Sequence, residues 1–247
     1  MSERTRRGLS FIARLGPAGL LLVSVLVGCV APPEGGQRTD AVDVAVEPLE
    51  LPTPAAESVM RRAQQMTLRI RSLGCSQLSL GSGFVLGDGL VVTNRHVLGQ
   101  PLQVTVNTWD GRSLEARVTG VARDSDLGVL QLDEFDGLPA AQLRTDQVEV
   151  GEPVYAVGYP GGGAVSVSDG EVVGFSSGRL LGEPADVIRV DARIEQGSSG
   201  GPLLDADGLV IGVMFALETG DRTGLAVPVE TLRDRLDEAE LSEPEGC

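Results

Sequence analysis

The stretch QGSSGGPLLD at 196–205 decides how this 247-residue chain is read. Two serines sit between glycines, and an apolar run follows at once. Glycines permit a sharp backbone turn that exposes a hydroxyl and aims amide N–H groups outward. Alone, such a segment is equally a flexible loop, so its meaning rests on what surrounds it. The run at 201–204 predicts a strand, and the same texture continues in both directions.

From residue 66 the chain is a series of brief apolar runs punctuated by turn residues such as Gly87-Asp88-Gly89, Asp110-Gly111 and Asp207-Gly208. Strands are expected at 67–72, 82–86, 90–93, 103–107, 113–122 and 127–132. After a loop through 133–150, a second series is expected at 153–158, 165–176, 187–191, 201–204, 209–215 and 224–228. Two groups of about six short strands, with no helices between them, predict an all-β fold of two six-stranded antiparallel β-barrels. AAESVMRRAQQ at 55–65 can form a short helix. Segment 230–240, with Leu232, Leu236 and the nearby Leu241, predicts a short C-terminal helix. Aromatic residues make up only 3% of the chain and glycines number 33, which suits short strands and tight turns better than a helical bundle.

Three residues are candidates for one chemistry. His96 is the only histidine of the chain and sits in TNRHVL at 93–98, just after an apolar strand. Asp126 opens the strand DLGVLQL at 126–132, with Asp124 as its competitor. Ser199 lies on the glycine-rich turn. Acyl transfer needs a hydroxyl activated by a base, a group that orients the base, and donors awaiting the oxyanion. A lone histidine, a strand-edge acid and a Gly-Ser loop are each ordinary, but together, in this order and beside these strands, they fit that requirement.

TNRHVL, DSDLGVLQL and QGSSGGPLLD resemble the active-site blocks of the trypsin-like serine proteases, in their bacterial HtrA-like branch. Within that branch GYPGGG at 158–163 and IRVDARIEQGSSGGPLLD at 188–205 look most like membrane-bound mycobacterial proteases. The resemblance covers roughly 66–247. It implies a chymotrypsin-like two-barrel fold, a serine endopeptidase acting on protein or peptide substrates, and His96, Asp126 and Ser199 as its catalytic triad. It also implies oxyanion donors from the backbone N–H groups of Gly197 and Ser199, and substrate-pocket walls near 213–217 and 225–227. Met214, Phe215 and Ala226 are the pocket candidates there, and without a carboxylate they favour an apolar side chain before the scissile bond. Arg193 offers an alternative, a cation that favours an acidic one.

The chain also departs from these relatives. HtrA proteases carry a PDZ domain after the protease, whereas about twenty residues follow the last expected strand here. The mycobacterial proteases have several membrane helices before the domain. Digestive trypsins have an acid before the nucleophile, where this chain has Ser198, so activation by pairing a new N-terminus with that acid is not expected.

The first 28 residues read as a processed leader. Arg4, Arg6, Arg7 and Arg14 precede the apolar run PAGLLLVSVLVG at 17–28, too short to span a bilayer comfortably. Leu26-Val27-Gly28-Cys29 resembles the lipobox of bacterial lipoproteins, which implies lipidation of Cys29 and a membrane anchor outside the cytoplasm. Residues 29–65 read as a lipid-anchored flexible linker containing the short helix, and 66–247 as the protease domain. Removing four arginines and Glu3 from 20 basic and 35 acidic residues leaves 16 and 34, a balance of −18. Such a charge argues against nucleic acid as a partner. No cofactor and no metal is expected.

Beyond Cys29 the cysteines are Cys75 and Cys247, which allow one intramolecular disulfide; two free thiols or an intermolecular bridge are the alternatives. For function, the alternatives are a catalytically inactive protease-fold lipoprotein acting as a binding module, and an esterase using the same triad.

Overall fold

The computed structural model describes residues 54–180, 183–217, 223–237 and 241–243. The leader, Cys29, the segment through 53 and Cys247 lie outside the described residues. Helix α1 (Pro54–Met66) leads into a first barrel of β1 (Thr67–Gly74), β2 (Leu78–Gly87), β3 (Leu90–Asn94), β4 (Pro101–Asn107), β5 (Ser113–Ala122) and β6 (Leu127–Leu132). A one-turn helix α2 (Arg95–Leu98) joins β3 to β4. The second barrel holds β7 (Pro153–Gly158), β8 (Ser166–Leu180), β9 (Glu183–Val190), β10 (Pro202–Leu204), β11 (Val210–Leu217) and β12 (Gly224–Pro228), and α3 (Val229–Asp237) follows. Both barrels close, in the orders β1-β2-β3-β6-β5-β4 and β10-β11-β12-β9-β8-β7, with antiparallel neighbours throughout. Closure leaves neither sheet an open edge.

Alternation explains the first barrel. Leu114, Ala116 and Val118 on β5 face the same interior as Leu68 and Ile70 on β1 and Val104 and Val106 on β4. The β2–β3 hairpin turns through Asp88 and Gly89, both at positive φ (48° and 76°). The second barrel encloses its own set, including Val154, Ile188, Leu203, Ile211 and Met214. A third cluster joins the barrels: Phe84, Val92 and Leu127 meet Val157, Val213, Phe215 and Val227, closed by Ala63 and Met66 of α1 and Leu232 of α3. Each large apolar side chain buried there stabilises the fold by about 1.5–3 kcal/mol. This seam fixes one barrel against the other, and the site lies along it.

The structure differs from the sequence reading in several places, and β2 starts at Leu78 rather than at 82. β8 and β9 run on to Leu180 and from Glu183 as a longer hairpin than expected. The short α2 stands where no helix is expected. The last helix ends at Asp237, and Leu241 lies beyond it, packed where a Cβ on Gly120 would be 2.5 Å from its own Cβ.

Candidate active site

His96 is placed by α2, whose Val97 and Leu98 are buried in the first barrel and hold the imidazole at its rim. Asp126 begins the turn into β6 at φ +52°, a left-handed conformation that aspartate tolerates better than most side chains. Several bonds hold it there. Its carbonyl accepts the Arg95 main-chain N–H at 2.9 Å and the Asn94 amide at 3.2 Å. Its carboxylate, 1% exposed, accepts the His96 main-chain N–H on Oδ1 at 3.0 Å and lies 2.5 Å from His96 Nδ1 through Oδ2. The Arg95 guanidinium Nε lies 3.9 Å from Oδ1. Asp124, by contrast, is 53% exposed and pairs with Arg235 of α3 at 2.7 Å.

Ser199 comes from the second barrel, between β9 and β10. The turn that carries it relies on glycine twice. Gly197 has φ +97°, and a Cβ there would lie 2.6 Å from the Tyr159 carbonyl oxygen. Gly200 has φ +87°, and a Cβ would lie 2.2 Å from the Ser82 carbonyl oxygen. Every carbonyl from 195 to 199 has a donor: Glu195 takes Ser198 N–H, Gln196 takes Gly161 N–H, Gly197 takes the Ser82 hydroxyl, Ser198 takes Gly201 N–H, and Ser199 takes Ser82 N–H. Among the described residues, the Gly197 and Ser199 amides have no acceptor. The turn therefore offers a pair of uncommitted donors beside the serine hydroxyl.

The Ser199 hydroxyl donates to the Phe215 carbonyl at 3.1 Å rather than to His96. Phe215 sits at a β-bulge in β11, between Met214 and Ala216, and its ring meets the His96 ring edge-on at 6.5 Å. A cleft of about 440 Å³ opens over the site, lined by His96, Ser199, Gly197 and Gln196 together with Leu78 and Leu80 of β2.

The expected pocket is only partly assembled. Met214 and Ala226 pair across β11 and β12, point into the second barrel and have no exposed surface. Strand alternation leaves Phe215 at the seam. Arg193 is 82% exposed, ion-paired with Glu195 at 2.7 Å, and borders a separate cavity of about 200 Å³ with Ser166 and Ser168. Sequence reasoning did not single out Ser82, which makes two hydrogen bonds to the nucleophile turn; a serine between Gly81 and Gly83 in a strand was the only signal.

Two closed six-stranded barrels with histidine and aspartate on one and serine on the other define a chymotrypsin-like fold. The chain matches the model of the trypsin-like peptidase domain over residues 81–213, and it belongs to that family. It is 30% identical over 213 residues to the serine protease Rv3671c of Mycobacterium tuberculosis, covering 81% of this chain and 53% of that one. It is 38% identical over 170 residues to a probable periplasmic DegP-like serine endoprotease of Halomonas elongata, covering 65% and 35%. The chain thus spans about half the length of the first of these relatives and a third of the second. Among solved structures, the active form of the M. tuberculosis Rv3671c protease superposes with a TM-score of 0.70 at 29% identity, over 87% of this chain and 97% of that one. The HtrA-type protease AlgW with a tripeptide gives 0.69 at 30% identity, over 75% and 63%.

Proposed function

We propose that this protein is an exported serine endopeptidase that cleaves protein or peptide substrates through His96, Asp126 and Ser199. The observation that carries this reading is the two-point grip of buried Asp126 on His96, facing a serine flanked by two uncommitted amides. In the reaction, the Ser199 hydroxyl swings from the Phe215 carbonyl towards His96 Nε2. Oγ attacks the substrate carbonyl carbon as Nε2 takes its proton, and the new oxyanion is received by the Gly197 and Ser199 N–H groups. Asp126, hydrogen-bonded to Nδ1, stabilises the imidazolium. The imidazolium then gives its proton to the departing amine, leaving an acyl-enzyme. Water, deprotonated by the same nitrogen, attacks the ester carbonyl, and Oγ recovers its proton as the acid product leaves.

In this reading the protein is held on a membrane through lipidated Cys29, with the protease domain outside the cytoplasm; the lipobox-like Leu26-Val27-Gly28-Cys29 supports it. The DegP-like relative, described as a probable periplasmic serine endoprotease, supports the extracytoplasmic side. Cys247 is our assignment for the partner of Cys75, and the bonded state of Cys75 supports that pairing.

A fluorophosphonate probe tests the catalytic reading, because it labels a serine activated by its base. The expected result is labelling of the full-length protein, lost in Ser199→Ala and His96→Ala. An unlabelled, folded wild type that binds peptides without cleaving them would instead establish the binding-module alternative. Comparing ester with peptide substrates separates the endopeptidase from an esterase.

A further inference from the structure

Ser82 lies on β2 with no exposed surface and bonds in three directions at once. Its main-chain N–H donates to the Ser199 carbonyl at 2.8 Å. Its hydroxyl oxygen accepts the Tyr159 main-chain N–H at 2.9 Å and donates to the Gly197 carbonyl at 2.7 Å. The direction of this relay is fixed by chemistry. Tyr159 N–H can only donate, so the single hydroxyl proton is left for the Gly197 oxygen. The Ser82 carbonyl in turn accepts the buried Thr93 hydroxyl at 2.7 Å, which ties the relay to β3.

We propose that Ser82 is a positioning residue for oxyanion stabilisation: its hydroxyl locks the Gly197 turn so that the Gly197 and Ser199 amides face the reacting carbonyl. This rests on the catalytic reading above. Gly197, at φ +97°, has the widest torsional freedom of any residue type, so something must pin the peptides on either side of it. The Gln196 carbonyl is pinned by Gly161 N–H at 2.7 Å, and in a planar trans peptide that directs the Gly197 N–H the opposite way. The peptide after Gly197 is pinned by Ser82. Tyr159 and Gly161 belong to the same short loop, so the hydroxyl holds both the turn and the loop that braces it. No other side chain among the described residues donates to a carbonyl of the 195–199 turn. Gly158 makes the approach possible, since a Cβ there would lie 3.1 Å from Ser82 Oγ and 2.9 Å from Ser198 Cα.

The test compares full-length wild type and Ser82→Ala on one peptide anilide that wild type cleaves, and on the peptide boronate of the same sequence, whose tetrahedral adduct needs the oxyanion donors. Loss of a direct oxyanion donor lowers kcat by about 10²–10³-fold, so loss of a positioning hydroxyl is expected to lower it roughly 10–100-fold. KM should stay within about threefold, boronate affinity should fall in step with kcat, and the pH profile should keep its shape, because His96 and Asp126 are untouched. A folded Ser82→Ala with wild-type kcat and boronate affinity overturns the proposal. Equal changes in KM and kcat/KM at constant kcat overturn it too, since they mark a loss of uniform binding. If Ser82→Ala does not fold, the near-isosteric Ser82→Cys replaces it. Its weak thiol donor should still lower kcat about fivefold or more at constant KM, and wild-type kcat there overturns the proposal. A wild type that cleaves no peptide and resists fluorophosphonate overturns the catalytic reading and this inference with it, whereas an active wild type with an indifferent Ser82→Ala overturns this inference alone.

Discussion

Asp126 holds His96 at both ends: one carboxylate oxygen lies 2.5 Å from Nδ1, and the other accepts the main-chain N–H of the same residue at 3.0 Å. The second contact fixes where α2 starts, and the first fixes which way the ring faces and which nitrogen carries the proton. Asp126→Asn keeps a side chain that tolerates the left-handed backbone but offers an amide donor to Nδ1. We expect kcat to fall about 10³–10⁴-fold with little change in thermal stability. Peptide kinetics alongside a melting curve would check it, and wild-type kcat would contradict it.

A second prediction concerns the C-terminal return. Val121 and Ser242 exchange two main-chain hydrogen bonds of 2.9 Å, and Leu241 covers Gly120, so Leu241 and Ser242 pack on β5. A methyl on Gly120 would lie 2.5 Å from the Leu241 Cβ. Gly120→Ala should therefore cost about 1–3 kcal/mol. For a domain of this size that is a fall in Tm of several degrees, measurable by calorimetry. An unchanged Tm would show that the return segment contributes nothing to the fold.

The third concerns acid. Arg144 reaches from the inter-barrel loop to Glu152 and stands 3.6 Å from Asp205. The hydrogen bond from Arg144 holds the Glu152 carboxyl below its usual range, and the same bond raises the Arg144 guanidinium. A carboxylate with a depressed folded pKa contributes stability above its unfolded value, about 4.3, and loses it as pH falls through the folded value. Glu152→Gln should thus lower Tm at pH 7, and the gap to wild type should close towards pH 3. A gap that stays constant with pH would assign the effect to packing.

The fourth concerns the cysteines. Cys29→Ser should abolish both labelling with palmitate and partition into detergent. Titration of the denatured, unreduced mature lipoprotein should find no free thiol if Cys75 and Cys247 are bridged. Equal lipid labelling of Cys29→Ser would contradict the anchor, and two reactive thiols would contradict the bridge.

Much of the fold was legible because its strands are short apolar runs bounded by glycine and aspartate turns. The β8–β9 hairpin was less so, since Gly178 and Pro184 are turn residues that the backbone takes up within β8 and β9. The four residues of α2 are too few to show helical periodicity, although they carry His96. For the candidate site, His96, Asp126 and Ser199 could be singled out through their flanking strands. The pocket did not: Met214 and Phe215 are adjacent apolar residues, and only the bulge between Met214 and Ala216 shows which one reaches the seam. Ser82 was invisible for another reason. A buried serine is recognised by its partners, and those lie on the loop and turn at 159 and 197–199, far away in sequence.

The central claim is that His96 is the base for Ser199, and one measurement bears on it most directly: kcat/KM for a peptide substrate from pH 4 to 9, in wild type and in His96→Ala. With no second imidazole in the chain, wild-type activity should rise with pH along a one-proton curve to a plateau. His96→Ala should lose about 10³-fold or more across the whole range. A mutant that keeps near-normal peptidase activity would contradict the assignment of the triad.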